Sequence, residues 1–428
     1  MSSVVAPTPV PSSRLPWFLR PTPVFCVVQV VPLALWLATA DTTFSIALQG
    51  AQRAPLGVSA ALAYGLLLLA FASGSSLGGR ARPLGMRADA RSFQPAVRVA
   101  HYAALAFAVF SASYVVILVV RSDIDILAVI LAAQANLFQQ LVIYSSDPVS
   151  QVLIMGRHLV LAALITWFAI GSAQVPRPPS LPVIGIAAAA MFVFTSSRLT
   201  VLGLMLITAL FLFGTGKGTP SLRAAVGPVL AFAAMALIFA AGVWIRSLAT
   251  WVTAAGGGGL GAAGYEGLAY AISPVNYTIA FVEGAVGFVR GLGLENFFNV
   301  VYTVFNLDVD YSYRAGISWY YAPDLDRVGL LGEWYAVAGP LFWLPTLCFG
   351  VLAGFAYSQF RQQTLSGLLL YPVVLLTVFD SNRGFLLAEN IAAANFLYML
   401  AIVTLAHFLQ RRTSPAGRPI PVTPQGVW

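Results

Sequence analysis

The chain has 428 residues, 59% of them hydrophobic and only 9% charged, with a mean hydropathy of +0.83. A soluble domain carries about 25% charged residues, so the composition excludes one and predicts an all-α polytopic integral membrane protein. The formal charge of +8 then reflects topology, because basic residues gather on cytoplasmic loops, and no nucleic-acid partner is expected.

Residues 1–23, with Pro7, Pro9, Pro11, Pro16, Pro21 and Pro23, read as a disordered cytoplasmic tail. The apolar run at 24–40 is long enough to span and lacks a small-residue cleavage site, so it reads as a retained anchor. A crossing needs about 20 apolar residues for a hydrocarbon core of about 30 Å. Spans are expected at 24–40, 56–73, 99–120, 157–173, 181–196, 199–215, 225–245, 334–358, 365–380 and 385–409. This gives an N-terminal bundle of about seven spans over 24–245, an external loop over 246–333, a C-terminal bundle over 334–409 and a cytoplasmic tail over 410–428. The segment 126–144 is interrupted by Gln134, Asn136, Gln139 and Gln140, and is placed outside the membrane core or re-entrant on the outer side.

Charge selects the topology. With about ten transmembrane helices and both termini inside, the inner segments hold Arg14, Arg20, Arg80, Arg82, Arg87, Arg91, Arg98, Arg177, Lys217, Arg223, Arg361, Arg411, Arg412 and Arg418. Asp89 is the acid among them; the others fall outside or near the outer ends of spans. Counting 126–144 as a further span would invert everything after it.

The run 181–214 is too long for one span, at about 50 Å if helical, and is interrupted at Thr195, Ser196, Ser197 and Arg198. Two helices meeting there would leave Arg198 slightly below the outer surface; the alternative is one tilted span with Arg198 snorkelling. The glycine-rich patch 254–264 reads as flexible, and is no P-loop, since no Gly-Lys-Ser/Thr follows. Residues 275–294, with Glu283 and Arg290, are expected along the interface. A polar, aromatic segment over 310–335 closes the external loop, and a second short external turn runs from Asp380 to Gly384. Cys26 and Cys348 both lie in apolar runs, which suits neither a disulfide framework nor a thiolate metal site. No fixed-period repeat is evident, so a transporter built from inverted repeats gains no support.

Candidate chemistry centres on the external arginines: Arg53, Arg121, Arg157, Arg198, Arg246, Arg290, Arg314, Arg327 and Arg383. A guanidinium fork grips phosphate oxygens in pairs, although each arginine could instead snorkel or pair with an acid. Arg198 and Arg383 stand at tight breaks between hydrophobic helices, where a charge is costly without a partner. Arg314 and Arg327 sit among aromatics, and Arg327 could pair with Asp324 or Asp326. Glu333 stands at an expected span start, where it serves the helix dipole or acts as a base on a sugar hydroxyl. His158, beside Arg157, is a candidate base or a helix-end histidine; His101 and His407 receive no role. Trp319, Tyr320 and their aromatic neighbours could stack on sugars or belong to the interfacial belt. Asp-x-Asp pairs occur at Asp123 and Asp125, Asp308 and Asp310, and Asp324 and Asp326. Such pairs can hold a cation on a diphosphate, but a pattern this short recurs by chance, and no metal or cofactor is expected.

Several motifs together resemble the bacterial oligosaccharide repeat unit polymerases, the O-antigen polymerase-like membrane proteins. They are Ser196, Ser197 and Arg198 between apolar helices, the stretch 291–296, the stretch 329–339 opening a span, and Ser381, Asn382, Arg383 and Gly384 between late spans. The family typically carries a Phe-Gly pair where this chain has Ala338 and Gly339. The resemblance implies glycan polymerisation on the outer face of the bacterial cytoplasmic membrane, from a polyprenyl pyrophosphate carrier. Flippase and chain-length regulator proteins are the partners it implies, besides the lipid bilayer. Under it, Arg198, Arg314, Glu333 and His158 are the expected catalytic residues. Arg157, Arg290, Arg327, Arg383, Trp319, Tyr320 and Asp324 are expected to bind substrate. Rival readings are a lipid-linked glycan ligase, a polyprenyl-phosphate-sugar glycosyltransferase, and a transporter or flippase.

Overall fold

The computed structural model describes residues 16–48, 50–82, 93–121, 156, 158–172, 175–195, 198–214, 259–284, 329–388 and 390–413. The expected spans or re-entrant pieces at 126–144 and 225–245 lie outside these residues. In chain order the helices are α1 (Pro21–Ala38), α2 (Asp41–Ala47), α3 (Val58–Gly79), α4 (Gln94–Arg121), α5 (Leu159–Ser172) and α6 (Leu181–Thr195). There follow α7 (Arg198–Gly214), α8 (Gly259–Val282), α9 (Leu330–Ala338), α10 (Trp343–Arg361), α11 (Leu365–Phe379) and α12 (Asn390–Thr413). No strand occurs among the described residues, so the chain is an all-helical membrane protein.

The apolar sequence explains both the helices and their surroundings. Pro21–Ala38, Val58–Gly79, Gln94–Ile117 and Ala392–Leu409 are each long and apolar enough to cross a bilayer. Leu62 and Leu69 on α3 and Val99 and Phe110 on α4 are all more than 60% exposed. A surface of that kind requires a hydrocarbon solvent. At the centre, α11 is buried on every side from Leu365 to Val378 and touches α1, α5, α7, α10 and α12.

The closest helix pair is α3 with α10, and small residues make it possible. A Cβ at Gly74 would fall on the Leu347 carbonyl, at Gly78 on that of Val351, and at Gly354 on that of Ser75. Gly74 and Gly78, and Gly350 and Gly354, form two small-xxx-small pairs that let the backbones meet. Phe71 fills the space beside them, stacked on Phe25 at 3.8 Å and edge-on to Phe349 at 5.4 Å.

Three expectations change. The tail expected to 23 ends earlier, because Pro21 opens α1, a position where a missing N–H costs nothing. The buried Tyr371 hydroxyl also donates to the Leu19 carbonyl at 2.6 Å. The span expected at 334–358 is two helices. Gly339 adopts φ +55° and Pro340 lacks an N–H, so α9 ends and α10 restarts at Trp343. The stretch expected as a flexible patch followed by an interfacial piece instead contains α8, whose buried residues Ala269, Ile272, Val275, Asn276 and Ile279 pack against α1, α2, α3 and α9.

Helix contacts also sort the charges. Ser358 Oγ and Gln359 Nε2 of α10 donate to the carbonyls of Ala81 and Arg82, and Arg98 Nη2 donates to the Pro176 carbonyl at 3.3 Å. One end of the bundle therefore gathers Arg20, Arg80, Arg82, Arg98, Arg177 and Arg361. The carboxylates of Asp41, Glu283, Glu333 and Asp380 lie toward the other.

Gly354→Leu is expected to force α3 and α10 apart and destabilise the protein by about 1–3 kcal/mol or more. Gly65→Ala, where a Cβ meets nothing within 4 Å, should be neutral or slightly stabilising. Thermal unfolding of the two variants in the same detergent checks the contrast.

Candidate functional site

The turn between α11 and α12 gathers polar groups from distant parts of the chain. Asp380 and Ser381 continue the α11 hydrogen-bond ladder, donating to Leu376 and Val378, and Arg383 N donates to the Asp380 carbonyl at 2.8 Å. Gln29 Nε2, from the middle of α1, donates to Ser381 Oγ at 2.9 Å. Asn382 Nδ2 donates to the Ala271 carbonyl of α8 at 3.1 Å. From α9, Leu330 N donates to the Ser381 carbonyl at 3.0 Å. The Glu333 carboxylate accepts from Phe385 N at 2.6 Å.

This turn is recessed inside the bundle. On α8, Ala271 lies about 18 Å below Glu283 at about 1.5 Å per residue. On α10, Phe349, whose ring meets Phe385 at 5.1 Å, lies about 9 Å below Trp343 by the same rise. Trp334 closes the other side of Phe385 at 4.7 Å. Irregular backbone at such depth is tolerated where protein surrounds it or a cavity adjoins it, and here four helices supply the hydrogen bonds.

Arg383 projects from the turn with its guanidinium over the Tyr270 ring at 5.0 Å. Its Nη1 is 3.9 Å from Asp380 Oδ1, with the two side chains 33% and 14% exposed. That distance is at the limit of an ion pair, and the Arg383 side chain keeps one third of its surface exposed. A cation held on a ring face beside one carboxylate suits an anionic oxygen ligand.

Glu333 reaches the same turn by a route the sequence does not announce. It lies in the first turn of α9, as a helix-dipole role requires, yet its carboxylate is directed onto the Gly384–Phe385 backbone. A Cβ at Gly384 would lie 2.8 Å from Glu333 Oε1, and Gly384 has φ +150°, so both the conformation and the close carboxylate call for glycine. Glu333 thereby positions the segment that carries Arg383.

His158 is buried at the start of α5, and its carbonyl accepts from Asn395 Nδ2 of α12 at 2.9 Å. Arg198 is the first residue of α7, with α6 ending at Thr195. Arg157, Arg290, Arg314, Arg327, Trp319, Tyr320 and Asp324 lie outside the described residues. The structure thus brings Glu333 and Arg383 together and places His158 on a different helix pair. Arg53 is committed elsewhere: it donates to the carbonyls of Trp36 and Thr39, pairs with Asp41 at 3.3 Å and covers the Phe44 ring at 4.5 Å. Among the described residues no three His, Cys, Asp or Glu side chains converge.

Sequence reasoning passed over Gln29, Tyr270 and Asn276. Gln29 is a lone polar group in an apolar run, and that isolation is a signal; Asn276 stands among Ser273, Tyr277 and Thr278, where nothing local singles it out. Asn276 is fully buried. Its Oδ1 accepts from Trp36 Nε1 at 3.1 Å and Ala54 N at 2.8 Å, and its Nδ2 donates to the Gln52 carbonyl at 2.9 Å. Glu283, expected at the interface, accepts from Ala60 N at 2.6 Å and caps α3 from outside that helix.

Compared with known proteins, the chain matches no family model, no curated protein and no solved structure.

Glu333→Ala removes a charge-assisted bond and should destabilise the protein by about 1.5–3 kcal/mol. Glu333→Gln retains an acceptor oxygen for Phe385 N and should lose about half as much. Thermal unfolding in detergent checks the order wild type, Gln, Ala.

Proposed function

We propose that this protein is a membrane glycosyltransferase that polymerises polyprenyl-pyrophosphate-linked oligosaccharide repeat units on the outer face of a bacterial cytoplasmic membrane. The observation that carries the reading is Arg383, presented on a recessed, backbone-fixed turn within an otherwise apolar bundle, 5.0 Å from the Tyr270 ring. The turn is built from Ser381, Asn382, Arg383 and Gly384, one of the motifs on which the family resemblance rests. In this reading the chain has about ten spans with both termini inside, and the arginine-rich end of the bundle faces the cytoplasm.

In the proposed reaction a hydroxyl oxygen of the acceptor sugar attacks the anomeric carbon of the growing glycan. The bond from that carbon to the pyrophosphate oxygen breaks, and the hydroxyl proton passes to a base. Negative charge grows on the departing pyrophosphate, and arginines placed at that oxygen stabilise it without reorganisation. Arg383 supplies one guanidinium; Arg198 and Arg314 are assigned the others, with Arg157, Arg290 and Arg327 holding the carrier diphosphate. His158 or Asp324 takes the proton, while Glu333 fixes the Arg383 turn. Trp319 and Tyr320 stack on sugar faces. The pyrophosphate-linked sugar is already activated, so no nucleotide is required.

A transporter or flippase is the second reading, and one observation favours it: an ion pair and several buried amides lie deep in the bundle, as substrate pathways often require. Reconstitution of the purified protein with a lipid-linked oligosaccharide separates the two. A ladder of lengthened lipid-linked products supports polymerisation, whereas translocation without bond formation refutes it. Arg383→Gln should lower the polymerisation rate by about 100-fold or more, and Arg198→Ala and Arg314→Ala should abolish it with expression intact. Activity should survive EDTA.

A further inference from the structure

The arginine-rich end of the bundle holds a second polar constellation that the proposed reaction leaves unused. Gln94, Arg98 and His101 follow one another at i, i+4 and i+7, so they share one face of α4. That face meets the connector between α5 and α6. Arg98 Nη2 donates to the Pro176 carbonyl at 3.3 Å, and His101 Nε2 is 2.7 Å from Ser180 Oγ. The other His101 nitrogen is 3.0 Å from the Ala163 carbonyl, so His101 is fully engaged.

Gln94 is not. It is 7% exposed, yet neither its amide oxygen nor its amide nitrogen has a hydrogen-bond partner. One turn along, Arg98 Nε is likewise buried without one. Buried side-chain amides are almost always bonded, so two such groups side by side mark a place where a ligand completes the bonding. They stand at the N-terminus of a 28-residue helix. The first amides of a helix have no partner within it, and its dipole favours negative charge there.

We propose that Gln94, Arg98 and the N-terminus of α4 bind a phosphate ester that carries a neighbouring hydroxyl. Arg98 Nε and Gln94 Nε2 donate to the phosphate oxygens, and the helix N-terminus adds its field. Gln94 Oε1, an acceptor, takes the hydroxyl. Val99 and Tyr102, next to this stripe, are 70% and 52% exposed, so acyl chains can lie along α4 while the headgroup sits at its start. Arg80, Arg82 and Arg361 at the same end raise the local anion concentration. An anionic glycerophospholipid headgroup supplies all of these features; a soluble phosphate ester shares the same chemistry.

The test uses the full chain in nanodiscs of phosphatidylcholine with or without phosphatidylglycerol, followed by native mass spectrometry of the lipid it retains. Wild type should retain phosphatidylglycerol, and Arg121→Gln, at the far end of α4, should match it. Gln94→Leu and Arg98→Gln should weaken retention by about tenfold each. Gln94→Glu, nearly isosteric and folded even if the leucine variant fails, should abolish it by charge repulsion. If inorganic phosphate in pure phosphatidylcholine nanodiscs raises the melting temperature of wild type but not of Gln94→Glu, the site stands with a soluble ligand. Equal phosphatidylglycerol retention in wild type, Gln94→Glu and Arg98→Gln, with no phosphate effect, overturns it.

Discussion

The backbone approach of α3 to α10 is the constraint on which the rest of the architecture depends. Lipid tails are as apolar as leucine, so helices in a bilayer gain little from burying hydrophobic side chains against one another. What holds them is close contact, and Gly74, Gly78, Gly350 and Gly354 bring two backbones nearer than any side chain would permit. From this clamp α10 extends both ways. Toward one end it passes the Gly339–Pro340 break into α9, which carries Glu333. Toward the other it turns through Gln363, at φ +52°, and Thr364, whose hydroxyl caps α11 by accepting from Gly367 N at 3.1 Å. Both arms then converge on the recessed turn, α9 through Leu330 and Glu333 and α11 through Asp380.

Buried polar side chains set the register of the remaining helices around that clamp. Gln29 ties α1 to the turn, Asn276 ties α8 to α1 and to the loop before α3, and Glu283 ties the end of α8 to the start of α3. An unsatisfied buried amide costs about 1–3 kcal/mol, so a helix that slid by one turn would forfeit several such bonds together. Hydrocarbon side chains could slide with far less penalty. The polar groups therefore convert a bundle of greasy helices into one arrangement.

What the sequence made legible was mostly what a bilayer dictates. Apolar length located α1, α5, α6, α7 and α11 to within a few residues and α3, α4 and α12 more loosely, because water and lipid impose the same rule on every span. Gly339 and Pro340 break the helix locally, but the apolar residues on both sides read as one continuous span. α8 escaped notice because its glycines, Glu266 and Asn276 lower its hydropathy; only the partners of Asn276, more than 200 residues away, make its burial affordable. For the site, Arg383 was legible as a charge at a tight break between apolar runs. The bond from Phe385 N to Glu333 joins residues far apart in the chain, and no local periodicity encodes it. Residues 285–328, which hold Arg290, Arg314, Trp319, Tyr320, Asp324 and Arg327, lie outside the described residues.

The recessed turn has an energetic logic of its own. A charge at such depth is expensive unless its surroundings are polar and fixed, and Arg383 has one carboxylate at 3.9 Å and one aromatic face. Those partners leave part of the guanidinium fork open, whereas Arg53 commits its donors to the carbonyls of Trp36 and Thr39 and to Asp41. The turn, in contrast, is over-determined: Gln29 holds the Ser381 hydroxyl, Ala271 the Asn382 amide, Leu330 the Ser381 carbonyl and Glu333 the Phe385 N–H. A rigid backbone under an incompletely paired cation is the arrangement that recognises an anion with little reordering on binding. The bonds that fix the turn stabilise the fold, and the incomplete pairing of Arg383 costs stability. That division places the functional demand on the guanidinium and the structural demand on everything beneath it.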